Sequence, residues 1–283
     1  METLIDYFSA IVPLHRGLIL AGGIALFWII ESYVPSRRFE YSKWRHAGIN
    51  IFFTATTIVV NFAMAFLLLM AAKWCSDSQF GILNWLKLNE WMSLISGLLL
   101  LDLIGAYLAH LVQHKTKWMW RFHLIHHTDT WIDATSANRH HPGESVIRFL
   151  FTVLAVLIAG APMWLVFLYQ SLSVAFSQFN HANISLSPVL DRVLGWIFVT
   201  PDQHKVHHHY QLPYTDSNYG NIFSFWDRLF GTLKELPRNE IVFGVDTHLL
   251  PEENDRLASL LRIPFTKYRP ASPSETEKKL SSS

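Results

Sequence analysis

The sequence predicts an all-α, polytopic integral-membrane helical bundle of about four to five spans, one pair of them a helical hairpin, capped on the cytoplasmic side by a histidine-rich helical layer. Three observations carry this expectation. Hydrophobic residues make up 51% of the 283-residue chain and charged residues only 16%, a balance unusual for a soluble protein of this length. Apolar runs of membrane-crossing length alternate with polar connectors. Twelve of the 15 histidines fall between His110 and His209, most of them in three short clusters.

The first apolar run, Gly17 to Val34, is closed by Pro35 and followed by Arg37, Arg38, Lys43 and Arg45; the second runs from Ala47 to Ala72. Lys and Arg concentrate on the cytoplasmic side of short loops, so the basic connector is expected there and the N-terminus opposite. The first run lacks the basic flank and small-residue site of a cleaved signal peptide and is expected to stay in the membrane. A polar stretch with Lys73, Asp77 and Ser78 leads past Trp85 and Trp91, aromatic interface anchors, into a third run ending near Leu111. From Trp91 to Leu111 a helix covers roughly 30 Å, one hydrocarbon core. After polar residues Lys115 to Glu144, the apolar segment Val146 to Asn183 is interrupted at Gly160-Ala161-Pro162 and reads as a hairpin that leaves and returns on one side. Pro270 to Ser283 has little to bury and is expected to be disordered. Three regions follow: 1–100, N-terminal spans and connectors; 101–232, the histidine-rich domain; and 233–283, a C-terminal extension.

The histidine clusters are His110-Leu-Val-Gln-His114, His123-Leu-Ile-His126-His127 and His204-Lys-Val-His207-His208. Side chains three and four apart share a helix face, so each cluster aims its imidazoles at one place. One such pair on an apolar helix is more often structural than metal-binding; three clusters at one membrane surface point to metal. Eight imidazoles exceed the four to six ligands that one ion usually takes, so two ions are expected. Cys75 is the only cysteine, which excludes thiolate sites and an intramolecular disulfide. Imidazole suits iron, zinc and copper alike, and spacing does not choose among them. There is no His-Glu-x-x-His, Gly-x-Ser-x-Gly, Walker loop or dinucleotide fingerprint to support hydrolase, ATPase or bound-nicotinamide chemistry. A net charge of +1, without a basic aromatic groove, sets nucleic acid aside as a partner.

Between Leu101 and Thr232 the chain resembles the fatty acid hydroxylase superfamily, also called the sterol desaturase family. The resemblance rests on the segment Leu101 to His114 and on Trp120-Arg121-Phe122-His123-Leu124-Ile125-His126-His127. It continues through Arg139-His140-His141-Pro142-Gly143-Glu144, Phe179-Asn180-His181-Ala182-Asn183 and Thr200-Pro201-Asp202-Gln203-His204-Lys205-Val206-His207-His208. Asn218-Tyr219-Gly220 and Trp226-Asp227-Arg228-Leu229-Phe230-Gly231-Thr232 complete it.

The resemblance implies a di-iron centre, with zinc as a substitute, that uses dioxygen to hydroxylate, desaturate or cleave ethers in lipids taken from the bilayer. It implies the ligands His110, His114, His123, His126, His127, His181, His204, His207 and His208, with His141 added and His140 as its alternative. Electrons would come from an external donor protein, because neither a haem site nor a cysteine set is present. Asp102, at membrane depth, is either a supporting partner of the ligands or a structural residue, in an interhelical bond or as a protonated bystander. Arg139 pairs with Glu144 or with a substrate head group. Asn218 and Asp227, together with Tyr219, Gly220 and Trp226, shape the turn after the last cluster or bond to the ligands. Trp118, Trp120, Trp131 and Phe122 read as anchors or packing, His209 as exposed or supporting, and His15, His46 and His248 as surface or interface residues. A hydrolase or lyase with zinc, and a non-catalytic metal-binding membrane protein, are the competing readings.

Overall fold

A computed structural model describes residues 1–271, so all but the first two residues of the expected disordered tail lie outside the described residues. Among the described residues there are helices and isolated bridges, with no β-sheet. The chain opens with α1 (Glu2–Ser9), α2 (Pro13–Tyr33), α3 (Lys43–Ser78) and the short α4 (Ile82–Leu86). Next come α5 (Glu90–Asp102), a π-helical segment (Leu103–Leu108) and α6 (Ala109–Lys115), which form one continuous helix from Glu90 to Lys115. Then follow α7 (Lys117–His127), α8 (Pro142–Ala159), α9 (Met163–His181), α10 (Pro188–Leu194), α11 (Pro201–His207) and α12 (Phe225–Leu229). Two small helices, α13 (Pro251–Asn254) and α14 (Leu257–Arg262), close the described chain.

Among the described residues four helices are long and apolar enough to cross a membrane: Pro13–Tyr33, Lys43–Leu86, Glu90–Lys115 and Pro142–Ala159. The protein is an integral membrane protein. Their unburied apolar side chains, such as Leu18, Val59, Phe62 and Ile95, have no aqueous solution and fit a lipid solvent. The membrane-depth core joins Leu101, Ile104, Val156, Ala159, Leu165 and Val166. α8 and α9 form the expected hairpin, and its corner needs glycine. Gly160 has φ 68°, and a Cβ there would sit 2.5 Å from the Phe80 carbonyl oxygen.

At 36 residues, α3 is longer than a bilayer core, and its first turns rise out of the membrane into a second core. There Phe53 packs with Leu124, Ile125, Val245, Leu260 and Ile263. The C-terminal extension is therefore part of the body that supports α7. The same turns of α3 carry His46, which is buried, in contrast to the surface or interface position expected for it. It bridges Asp129 (2.9 Å) and Asp133 (3.1 Å) in the loop after α7. His248 is also buried, with Thr247 Oγ1 2.9 Å from its Nδ1. Two charges on the loop and a hydroxyl beside the ring supply the partners that let these imidazoles leave water.

Candidate metal centre

Four helices, α6, α7, α9 and α11 with its C-cap, bring nine imidazoles together, and each arrives by its local geometry. Asp102 ends α5, and its buried carboxylate accepts from the Ile222 and Phe223 amides and from Trp226 Nε1 (3.4, 3.2 and 3.1 Å). Of the two roles open to it, the structure shows the structural one: it ties the α5 end to the loop before α12. The π segment follows immediately. A π turn inserts one residue into the helical register, which rotates what comes after it; His110 and His114, one turn apart on α6, then face α7 and α11. Gln203 and Thr200 close a capping box that starts α11 at Pro201.

The nine imidazoles form two groups. His110, His114, His123, His127 and His207 make one; His126, His181, His204 and His208 make the other; within each group the candidate ligand atoms all lie within 4.8 Å of one another. The two His-x-x-His-His clusters are divided in opposite senses. On α7 the outer pair, His123 and His127, goes to the five-histidine group and His126 to the other. At α11 the outer pair, His204 and His208, goes to the four-histidine group and His207 to the first.

Hydrogen bonds orient the rings. Nδ1–H of His110 donates to the Tyr219 carbonyl (3.0 Å), that of His207 to the Ser217 carbonyl (2.6 Å) and that of His181 to the Ser177 carbonyl (2.7 Å). His123 Nδ1 lies 2.7 Å from Glu144 Oε1, and His114 Nδ1 3.3 Å from Asp216 Oδ1. A ring that donates through Nδ1 presents a bare lone pair at Nε2. Those lone pairs point at each other: His110 Nε2 lies 3.0 Å from His123 Nε2, and His127 Nε2 3.2 Å from the same atom. In the second group the Nε2 atoms of His126, His204 and His208 stand 3.1, 3.0 and 3.3 Å from His181 Nε2.

One lone pair can take one proton, so it cannot serve three neighbours. Metal–nitrogen bonds of ~2.0–2.1 Å place adjacent ligands roughly 3.0–3.4 Å apart, the spacing found here. Nε2 of His114 and of His207 are buried with no hydrogen-bond partner among the described residues. The donor set thus fits two cations with nitrogen preference. Burial, reinforced by neighbouring imidazoles, pushes the pKa values of His126, His127, His204 and His208 well below the ordinary histidine range, so the rings are neutral and ready to ligate.

His141 stands apart from both groups. Its Nδ1 accepts from the Gly143 amide (3.0 Å) as the N-cap of α8, and its ring packs on Phe122 and Phe265. His140 is nearer the centre, its ring centroid 5.1 Å from that of His126 and its Nε2 3.7 Å from Glu144, but it too lies outside the two groups. Arg139 pairs neither with Glu144 nor with a ligand-facing cavity: it donates to the Ile125 and Asn254 carbonyls and to Asn50. His209 is buried and accepts from the Val242 amide (3.1 Å), away from the groups.

Asp227 acts one step removed. It accepts from the Tyr219 and Gly220 amides (2.8 and 2.9 Å) and so sets the carbonyl that holds His110. Asn218, at φ 51°, bonds to the Gln203 and Lys234 carbonyls and shapes the turn beside Ser217. Trp120 lies against His114 and His127, Trp131 stacks on Tyr41, and Trp118 is 54% exposed. Sequence reasoning missed the roles of Glu144, Asp216, Ser177 and Ser217. The last two act through backbone carbonyls, which leave no trace in residue type; Glu144, three residues after His141, carried a signal in its acidic character at a membrane boundary.

Residues 94–232 match the family model for fatty acid hydroxylase. The chain belongs to the fatty acid hydroxylase superfamily. Among curated relatives it is 29% identical over 154 residues to ornithine lipid hydroxylase OlsE of Rhizobium tropici, covering 53% of this chain and 45% of that protein. It is 24% identical over 253 residues to human alkylglycerol monooxygenase, covering 88% of this chain and 52% of that one. A cholesterol 25-hydroxylase-like protein of Danio rerio is 29% identical over 138 residues, 48% of this chain and 53% of that protein. The chain spans about half the length of these three relatives. No solved structure matches it.

Proposed function

We propose that this protein is a membrane-bound di-iron oxygenase that hydroxylates, desaturates or cleaves an ether in a bilayer lipid, with electrons delivered by a separate donor protein. The observation that carries the reading is the convergence of bare imidazole nitrogens into two adjacent groups, in a superfamily whose curated relatives include lipid hydroxylases and monooxygenases. His110, His114, His123, His127 and His207 would hold one ion; His126, His181, His204 and His208 would hold the other. The ions, when bound, supply the one-electron chemistry with dioxygen that no amino-acid side chain offers at an unactivated C–H bond.

The chain's own residues do the rest. Glu144, Asp216 and the carbonyls of Ser177, Ser217 and Tyr219 hold the rings of His123, His114, His181, His207 and His110 in one tautomer, so those five ligand nitrogens are bare without rearrangement. Neutral imidazoles leave a strongly electropositive centre. The near-complete burial of both groups keeps bulk water from a reactive oxidant. A narrow cavity with room for about one water touches both groups, lined by Ala106, His140, Arg148, Ser177 and Asn221 among others, and only the reacting end of a substrate would be presented there. The ligand helices converge at the end of the Glu90–Lys115 span, and the basic connector Arg37 to Arg45 lies at the same surface, Arg37 bonding to Asn183 just beyond α9. That arrangement, with the basic connector beside it, supports a centre on the cytoplasmic face.

The test is lipid analysis of cells expressing the wild type against a His207→Ala strain under ¹⁸O-labelled dioxygen, with elemental analysis of the purified protein. Two iron ions per chain and a lipid that gains labelled oxygen, or loses two hydrogens only in air, are expected. A zinc-loaded protein whose product forms without dioxygen would overturn the reading in favour of non-oxidative chemistry.

A further inference from the structure

Arg148 is the one residue lining the metal-centre cavity that carries a formal charge when the imidazoles are neutral. It sits on the seventh residue of α8, roughly 9 Å along the helix from its start, within a span long and apolar enough to cross the membrane. A guanidinium at such a depth needs acceptors. Among the described residues its nearest carboxylate oxygen, Glu144 Oε1, is 4.0 Å away, and that oxygen already accepts from His123 at 2.7 Å. Its side chain is 29% exposed, and its ion pair with Glu144, at 4.0 Å, is too long for a hydrogen bond, so the guanidinium keeps donors to offer. Five donors in a rigid fork therefore face a cavity bounded by His110, His126, His181 and His204.

Charge on the surrounding site strengthens the case. Neutral imidazoles bring no negative charge to two cations, and the carboxylates that touch ligand rings are Glu144 and Asp216. A cavity beside such a centre, with Arg148 in its wall, favours an anion over a neutral group. One turn deeper on the same face, Phe151 and Thr152 are half-buried, which continues the path toward the apolar core.

Resting on the oxygenase reading above, we propose that Arg148 is a positioning residue that receives the anionic oxygens, carboxylate or phosphate, of the substrate lipid's polar end. The lipid would then enter head-first with its tail left among the spans, and the oxidised carbon would lie within a few bonds of the head group instead of far down the chain.

Binding to the full chain in a neutral maltoside detergent tests this with four probes: oleate, 1-oleoyl-lysophosphatidate, oleyl alcohol and inorganic phosphate as competitor. Wild type should prefer at least one anionic lipid over the alcohol by about tenfold, the worth of one charge-assisted hydrogen bond. Arg148→Gln should erase that preference, and Arg148→Lys should keep part of it; both should retain wild-type metal content, which reports an intact fold. Equal binding of all three amphiphiles by wild type would overturn the proposal, as would an anion preference that survives Arg148→Gln. Displacement of oleate by inorganic phosphate more readily than by the lysophosphatidate would assign the site to a soluble anion and overturn the lipid-head assignment. If Arg148→Gln fails to fold, the wild-type preference and its retention in Arg148→Lys decide the question. Two ions per chain without anion selectivity would sink this inference alone; a chain that binds no metal would sink the functional reading instead.

Discussion

Replacing Glu144 should unload one ion and spare the other. Its carboxylate is fully buried, touches His123 Nδ1 at 2.7 Å, and belongs by that contact to the five-histidine group. A hydrogen bond to a charged group contributes ~1.5–3 kcal/mol, so Glu144→Ala should weaken the first site by ~10–150-fold, in line with the ~10–100-fold typical of partners behind a metal ligand. Glu144→Gln keeps an acceptor oxygen and loses only the charge, and neutral bonds are about half as strong; its effect should be ~3–10-fold. The four-histidine group shares no bond with Glu144, so its affinity should change by less than about twofold. Competitive chelator titration of purified protein, resolved into two steps, measures both constants. Loss of both ions in parallel, or of neither, would refute the division into two separately supported groups.

Other consequences can be checked alongside. Asp227→Ala frees the Tyr219 and Gly220 amides, so it should lower first-site metal affinity and cost roughly 2–4 kcal/mol of stability from two unpaired buried amides; unchanged metal content would separate it from His110. Gly160→Ala forces a Cβ into a left-handed corner and against Phe80, and the melting temperature should fall with no change in metal stoichiometry. Stripping metal with a chelator should lower the melting temperature by an amount that grows with free-metal concentration in the loaded reference; identical melting with and without chelator would contradict a built site. After Cys75 is replaced, single cysteines at Glu40, Thr130 and Asn239 should label from the cytoplasmic side and one at Ser78 from the other. Labelling of Ser78 and Thr130 from one side would refute the topology.

How much of this was legible beforehand differs by level. The spans and the hairpin break at Gly160 followed from hydropathy and turn chemistry, because a bilayer imposes its thickness on sequence directly. The nine clustered or motif-borne histidines that converge were all named from the sequence. Their sorting into five and four was not, because side chains three and four apart on a helix diverge enough to reach different centres, and which goes where depends on the angle of the partner helix. His141 lies outside both groups for a related reason: after a loop, adjacent His140 and His141 meet different neighbours, and His141 caps the helix that starts at Pro142. His46 and Arg139 were hidden because their partners, Asp129, Asp133 and the Asn254 carbonyl, come from distant parts of the chain.

The opposed division of the two His-x-x-His-His clusters has a mechanical meaning. α7 and the α11 end each touch both groups, like two plates fastened by two rivets. A single rivet leaves plates free to pivot; a second removes that freedom and fixes their angle. The spacing between two bound ions would then be a property of the pair of helices, and a shift of one helix along the other would disturb both groups at once. A change in how α7 and α11 cross would therefore reach both groups, whereas a change in one ring's own hydrogen-bond partner need reach only its own.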